Sequence, residues 1–99
     1  MSETDDDDPV IRQLREQISG LDRAILDAVN ERLELVARIK AYKESHGIDF
    51  HDPGREQAML RDLTTANRGP LSTSGVEQLL RTILDLSKRE VTGTGSSES

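Results

Sequence analysis

Residues 8–45, DPVIRQLREQISGLDRAILDAVNERLELVARIKAYKES, read as one very long helix, and that reading decides the fold. Asp8-Pro9 is a start signal, because an aspartate can accept from the free amides of a first turn and proline suits the first helical position. Beyond it Ile11, Leu14, Ile18, Leu21, Ile25, Ala28, Arg32, Leu35, Ile39 and Tyr42 recur at alternating steps of three and four. That is an unbroken seam of heptad a and d positions, with Arg32 its one charged member. Some 36 residues at 1.5 Å each extend roughly 54 Å, far beyond the width of a small domain. The rest of the chain is too short to cover such a helix, so a second copy is the natural partner.

The remaining 54 residues hold two shorter helices. A stop is expected at His46-Gly47, where glycine can take a left-handed cap. After a loop, Asp52-Pro53 repeats the cap-plus-proline start, and Ala58, Met59, Leu60 and Leu63 form the apolar face of helix 2. Asn67-Arg68-Gly69-Pro70 ends it. Ser72-Thr73-Ser74 opens helix 3, with Ser74 and Glu77 spaced as a capping box and Val76, Leu79, Leu80, Ile83 and Leu84 as the apolar stripe. Gly20 is the weak point of helix 1, costing about 1 kcal/mol against alanine and marking a place where another helix could approach. The expected fold is all-α, three helices per chain, one very long and two short, in an intertwined homodimer. Residues 1–8 read as a disordered acidic tail, 9–91 as the helical domain, and 92–99 as a disordered Gly/Ser tail.

Charge and composition narrow the function. The formal net charge is −6, yet six of the 19 acids lie in the two tails, leaving 13 acids against 13 bases between them. A domain neutral on paper argues against nucleic acid as the main partner. There is no cysteine, which removes disulfide and thiol chemistry and fits a cytoplasmic location. No membrane-length apolar run is present. His46 and His51 flank a loop with no third ligand near in sequence, so solvated loop histidines are favoured over a metal site.

Several cations sit where a surface helix does not need them. Arg32 occupies an a position, for which a register-fixing polar residue is an equally good account. Lys43, eleven residues on, returns to within about 20° of the same face. Arg15 and Arg55, like Lys43, are each adequately explained one by one as solvated charges. Together with their neighbours they are not. The string Leu14-Arg15-Glu16-Gln17-Ile18-Ser19-Gly20-Leu21-Asp22, then Glu31-Arg32, Lys43, Asp52-Pro53-Gly54-Arg55-Glu56 and Ser87 resembles the all-helical class of chorismate mutases in order and spacing. The resemblance spans about Ile11 to Ser87.

It implies a homodimer whose long helices cross and whose two active sites each draw on both chains. Helix geometry agrees: Arg15 and Lys43 are 28 residues apart, about 42 Å along one helix, so one chain cannot close both on a small ligand. An antiparallel copy crossing near Ile25 and Leu26 would bring Arg15 of the partner subunit beside the Arg32–Lys43 segment, through an isologous contact. The implied reaction is rearrangement of chorismate, a dianion, to prephenate in phenylalanine and tyrosine biosynthesis. It is unimolecular, so no metal, nucleophile or redox cofactor is expected. By resemblance Arg15 of the partner subunit, Arg32 and Ser87 engage carboxylates with Arg55 in support. Lys43 donates to the ether oxygen and Glu56 accepts from the ring hydroxyl, which makes Lys43, Arg32 and Glu56 the catalytic set. Asp52 belongs to the implied site, although a helix cap explains it as well.

In one place the chain departs from the family pattern. Four residues after the serine of helix 3 the family places Gln or Glu, a second donor to the ether oxygen; here that position is Val91, with Glu90 beside it. Some actinobacterial members are weak alone and are activated in a complex with the first enzyme of the shikimate pathway, and the residues of this chain leave that partner open. Isochorismate-pyruvate lyases and mutases of amino-substituted chorismate share the fold and the cationic pocket, while the stretch from Asp52 to Glu56 favours a mutase. A non-catalytic helical dimer or adaptor would account for the heptads, but not for the cations.

Overall fold

The computed structural model describes residues 8–92; the two stretches outside it, 1–7 and 93–99, hold nearly all of the expected tails. Three α-helices follow in order: α1 (Pro9–Ser45), α2 (Pro53–Ala66) and α3 (Thr73–Val91). No strand occurs among the described residues, and none of their helices is long and apolar enough to cross a membrane. They group into two compact units, up to Arg32 and from Leu33 onward, the division falling inside α1.

The ends of α1 follow from local chemistry. Asp8 Oδ1 accepts from the amides of Val10 (2.9 Å) and Ile11 (3.3 Å), two donors that the first turn leaves without helical partners. At the other end Gly47 takes φ +67°. The Ile48 amide donates to the Lys43 carbonyl (2.8 Å) and that of Gly47 to Glu44 (3.4 Å), the bond pair of a Schellman cap, which needs a residue tolerant of left-handed backbone. His46 completes the stop: its ring stacks on Tyr42 with centroids 4.0 Å apart, and its Nδ1 lies 2.9 Å from the Tyr42 carbonyl.

Between these ends α1 has no buried residue. The seam lies open, from 47% exposure at Ile39 to 64% at Leu21, with Leu14, Ile18, Ile25, Leu35 and Tyr42 in between. Around Gly20, apart from its chain neighbours and the backbone of its own helix, no atom of the described residues comes within 4 Å of where a Cβ would stand. In the second unit a neighbouring stripe, Leu33, Val36, Lys40 and Lys43, is half-buried.

The packed helix pair among the described residues is α2 with α3. Their core is small and aliphatic: Val76 and Leu80 are buried, with Ala58, Met59, Leu60, Ile83 and Leu84 half-buried. Leu79, expected in the stripe, is half exposed. Asn67 shapes the connection, its side-chain amide donating to the Leu71 carbonyl (2.7 Å) while its Oδ1 accepts from the Gly69 amide (3.1 Å).

The start of α3 differs from the expected capping box. The cap is Ser72, with extended backbone, and its Oγ accepts from the Gly75 amide (3.0 Å). Ser74 already lies in the first turn, so Glu77 has no cap to complete. The physical reason is the loop: the Leu71 side chain folds over Gly75, where a Cβ would stand 2.6 Å from Leu71 Cδ1, and this entry leaves Ser72 as the last non-helical residue. Ser72→Ala should therefore lower stability by about 1 kcal/mol, against a few tenths for Ser74→Ala. Urea unfolding of both variants checks this, and equal losses would contradict the assignment.

Candidate active site

Lys43 stands in the last turn of α1, where its charge also suits the negative end of the helix dipole. Its backbone is held firmly, since its carbonyl accepts from both Ile48 and His46 in the cap. The side chain is half-buried on the stripe with Leu33, Val36 and Lys40. Lys40, on the same stripe, has its ammonium 2.5 Å from the Glu44 carboxylate.

Asp52, Arg55 and Glu56 are gathered by the start of α2. Asp52 is the N-cap, its Oδ1 accepting from the Arg55 amide (3.1 Å) and its carbonyl from the Glu56 amide (3.2 Å). One oxygen of that carboxylate is thus committed to holding the turn that carries the other two side chains. Arg55 is exposed and Glu56 half-buried.

Ser87 is the one buried polar residue among the described residues, 6% exposed, in the last third of α3. Its hydroxyl donates to the Ile83 carbonyl one turn back (2.9 Å). In this rotamer it can accept but has no proton left to give, so donating to a carboxylate would require it to turn away from Ile83. Arg15 and Arg32 lie in the first unit and are both half-buried.

Within the second unit the structure brings one expected residue against a residue that sequence reasoning passed over. Lys88 Nζ lies 3.3 Å from Glu56 Oε2, bridging the first turn of α2 and the end of α3, as two antiparallel helices allow. The signal was present: Val76, Leu80 and Leu84 step by four along the stripe of α3, and the next step is Lys88. A charge at a stripe position drew attention to Arg32 and should have done so here. Glu90, beside Val91, is exposed and pairs with Arg89 at 3.6 Å. A shallow depression of about 250 Å³ on the outer face of α3, lined by Glu77, Arg81 and Asp85 among others, contains none of the expected site residues.

Residues 14–91 match the family described as chorismate mutase type II. The chain is 34% identical over 89 residues to the bifunctional chorismate mutase/prephenate dehydratase of Stutzerimonas stutzeri, covering 85% of this chain and 23% of that protein. It is 40% identical over 45 residues to the 4-amino-4-deoxychorismate mutase of Streptomyces venezuelae, 46% of this chain and 44% of that one. Among solved structures, a chorismate mutase from Thermus thermophilus superposes with a TM-score of 0.76 at 34% identity, over 78% of this chain and 96% of the other. The chain spans less than a quarter of the length of the bifunctional relative and of other long relatives it matches.

A hydroxyl that bonds back within its own helix should be dispensable for folding. Ser87→Ala is expected to change the unfolding free energy by no more than about 0.5 kcal/mol, because hydroxyl back-bonding to the i−4 carbonyl adds little to a helix. Thermal unfolding measures it, and a loss above about 1 kcal/mol, the ordinary cost of a structural substitution, would make Ser87 a structural residue.

Proposed function

This chain belongs to the chorismate mutase type II family, and on that footing we propose that it rearranges chorismate to prephenate, a step toward phenylalanine and tyrosine. The observation that carries the reading is that the matched stretch, 14–91, contains every one of the seven polar positions Arg15, Arg32, Lys43, Asp52, Arg55, Glu56 and Ser87. The rearrangement breaks a C–O bond and forms a C–C bond within one molecule. A protein accelerates it by folding the enolpyruvyl arm over the ring and by stabilising the charge that grows on the ether oxygen.

In this reading Arg32, Arg55 and Arg15 of the partner subunit hold the two carboxylates, with Ser87 once its hydroxyl turns from Ile83. Lys43 donates to the ether oxygen, and its capped backbone supports that task because a donor that need not reorganise is worth more in the transition state. Glu56 accepts from the ring hydroxyl. The dimer is part of the same proposal and draws its support from the open seam of α1. A cytoplasmic location goes with it, and a chain without cysteine suits a reducing compartment. An activating complex with another enzyme of the pathway belongs to the proposal only if the isolated chain is slow.

Val91 gives a reason to expect slowness. It is half-buried near the end of α3 and has no donor to offer, while Glu90 is already paired with Arg89. Lys43 is then alone at the ether oxygen. A second reading, rearrangement of 4-amino-4-deoxychorismate, has the Streptomyces relative in its favour over 46% of the chain.

Two results are expected. Lys43→Ala should lose roughly 100- to 1000-fold in turnover, about 2.7–4 kcal/mol of transition-state stabilisation, and Val91→Gln should raise the turnover of the parent. Chorismate consumption followed by its ultraviolet absorbance checks both; a fast parent that Val91→Gln does not improve would remove the missing-donor account. The unfolding midpoint should also rise with protein concentration, as it must when folding and association are linked. A constant midpoint with a monomer mass by light scattering would remove the dimer.

A further inference from the structure

The feature that the proposed mechanism does not use is Lys88. As a brace between α2 and α3 its pair with Glu56 is weak, since Lys88 is 42% and Glu56 32% exposed, and exposed ion pairs contribute little to stability. As an electrostatic fact it matters more. The carboxylate assigned to the ring substituent of the substrate already has a cation 3.3 Å away. Arg55, one residue before Glu56, adds a second positive charge to the same turn.

We propose that Lys88 is a specificity-determining residue, which through its pair with Glu56 makes the chain prefer a substrate with a neutral ring hydroxyl over one with a ring ammonium. The inference rests on the assignment of Glu56 to the ring substituent. A hydroxyl can donate to a carboxylate that is already paired, because it adds a dipole and no charge. An ammonium hydrogen-bonded to the same carboxylate would come within roughly 6–8 Å of Lys88 Nζ, at ordinary donor–acceptor distances. Like charges that close repel, most strongly where substrate excludes water. Attraction between the cations of the site and the two substrate carboxylates is common to both compounds and cancels in the comparison.

The test is the ratio of kcat/KM for chorismate to kcat/KM for 4-amino-4-deoxychorismate, measured on the full chain, Lys88→Met, Lys88→Arg and Glu56→Gln. A ratio within one protein sample does not depend on the fraction correctly folded. The parent should favour chorismate. Lys88→Met should shift the ratio toward the amino compound by about tenfold or more, a modest effect for removing a like charge. Lys88→Arg, which keeps the charge, should stay within about threefold of the parent. Glu56→Gln should lower chorismate turnover at least about tenfold. A Lys88→Met ratio within threefold of the parent, with Glu56→Gln impaired, overturns the role of Lys88 and leaves the mutase reading intact. Unimpaired chorismate turnover in Glu56→Gln removes the assignment of Glu56 and this inference with it. A parent that favours the amino compound, or turns over neither, overturns the inference as well; the second result also removes the proposed function.

Discussion

The open apolar seam of α1 is the constraint on which the rest depends. Thirty-seven residues of helix contain no buried side chain, although Leu14, Ile18, Leu21, Ile25, Leu35, Ile39 and Tyr42 keep to a heptad rhythm. Helices draw most of their stability from packing such a face, not from intrinsic propensity. Completing the burial of a half-exposed Leu or Ile is worth about 1 kcal/mol or more. Six such residues, with Tyr42 beside them, add up to the order of a whole domain's net stability, about 5–15 kcal/mol. A surface of that value is what an association interface looks like, and a two-fold contact is the simplest way for one sequence to cover it.

The second unit solves a different problem with local means. Two short helices with a core of Val76, Leu80 and a few half-buried neighbours have little hydrophobic energy to spare. Their ends are therefore defined by capping: Asp52 before α2, Ser72 before α3, and Asn67 bonded in both directions across the loop. Capping would also serve the proposed chemistry. The cap at Asp52 aligns Arg55 and Glu56 in one turn, and the Schellman cap at Gly47 holds the backbone of Lys43. The residues proposed to act on a ligand are thus carried on backbone whose position costs little to maintain.

Electrostatics divides the polar side chains into those engaged within the fold and those that a ligand could recruit. Lys40 is bound to Glu44 and Glu90 to Arg89. Glu56 is engaged by Lys88 at 3.3 Å, a pair exposed enough for a substrate group to join it. In the proposed reading Arg32, Lys43 and Arg55 would attract a dianionic substrate, while the placement of each donor would decide which bond is helped to break.

Much of this was legible in the residues themselves. Helix starts at Asp8-Pro9 and Asp52-Pro53 and the stop at Gly47 depend on interactions within four or five residues, so the sequence determines them directly. The heptad seam was equally plain, since periodicity is a property of the chain alone, and so was the family, because its polar positions recur at fixed spacings. Three features were not legible there, and only the last of them was decided by tertiary structure. The cap of α3 moved from Ser74 to Ser72 because Leu71 folds over Gly75, a contact that no spacing rule contains. The buried Ser87 hydroxyl donates to the Ile83 carbonyl one turn back, a choice of rotamer that residue spacing does not contain. Lys88 met Glu56 because packing α2 antiparallel to α3 joins residues 32 positions apart, and no local pattern brings such residues together.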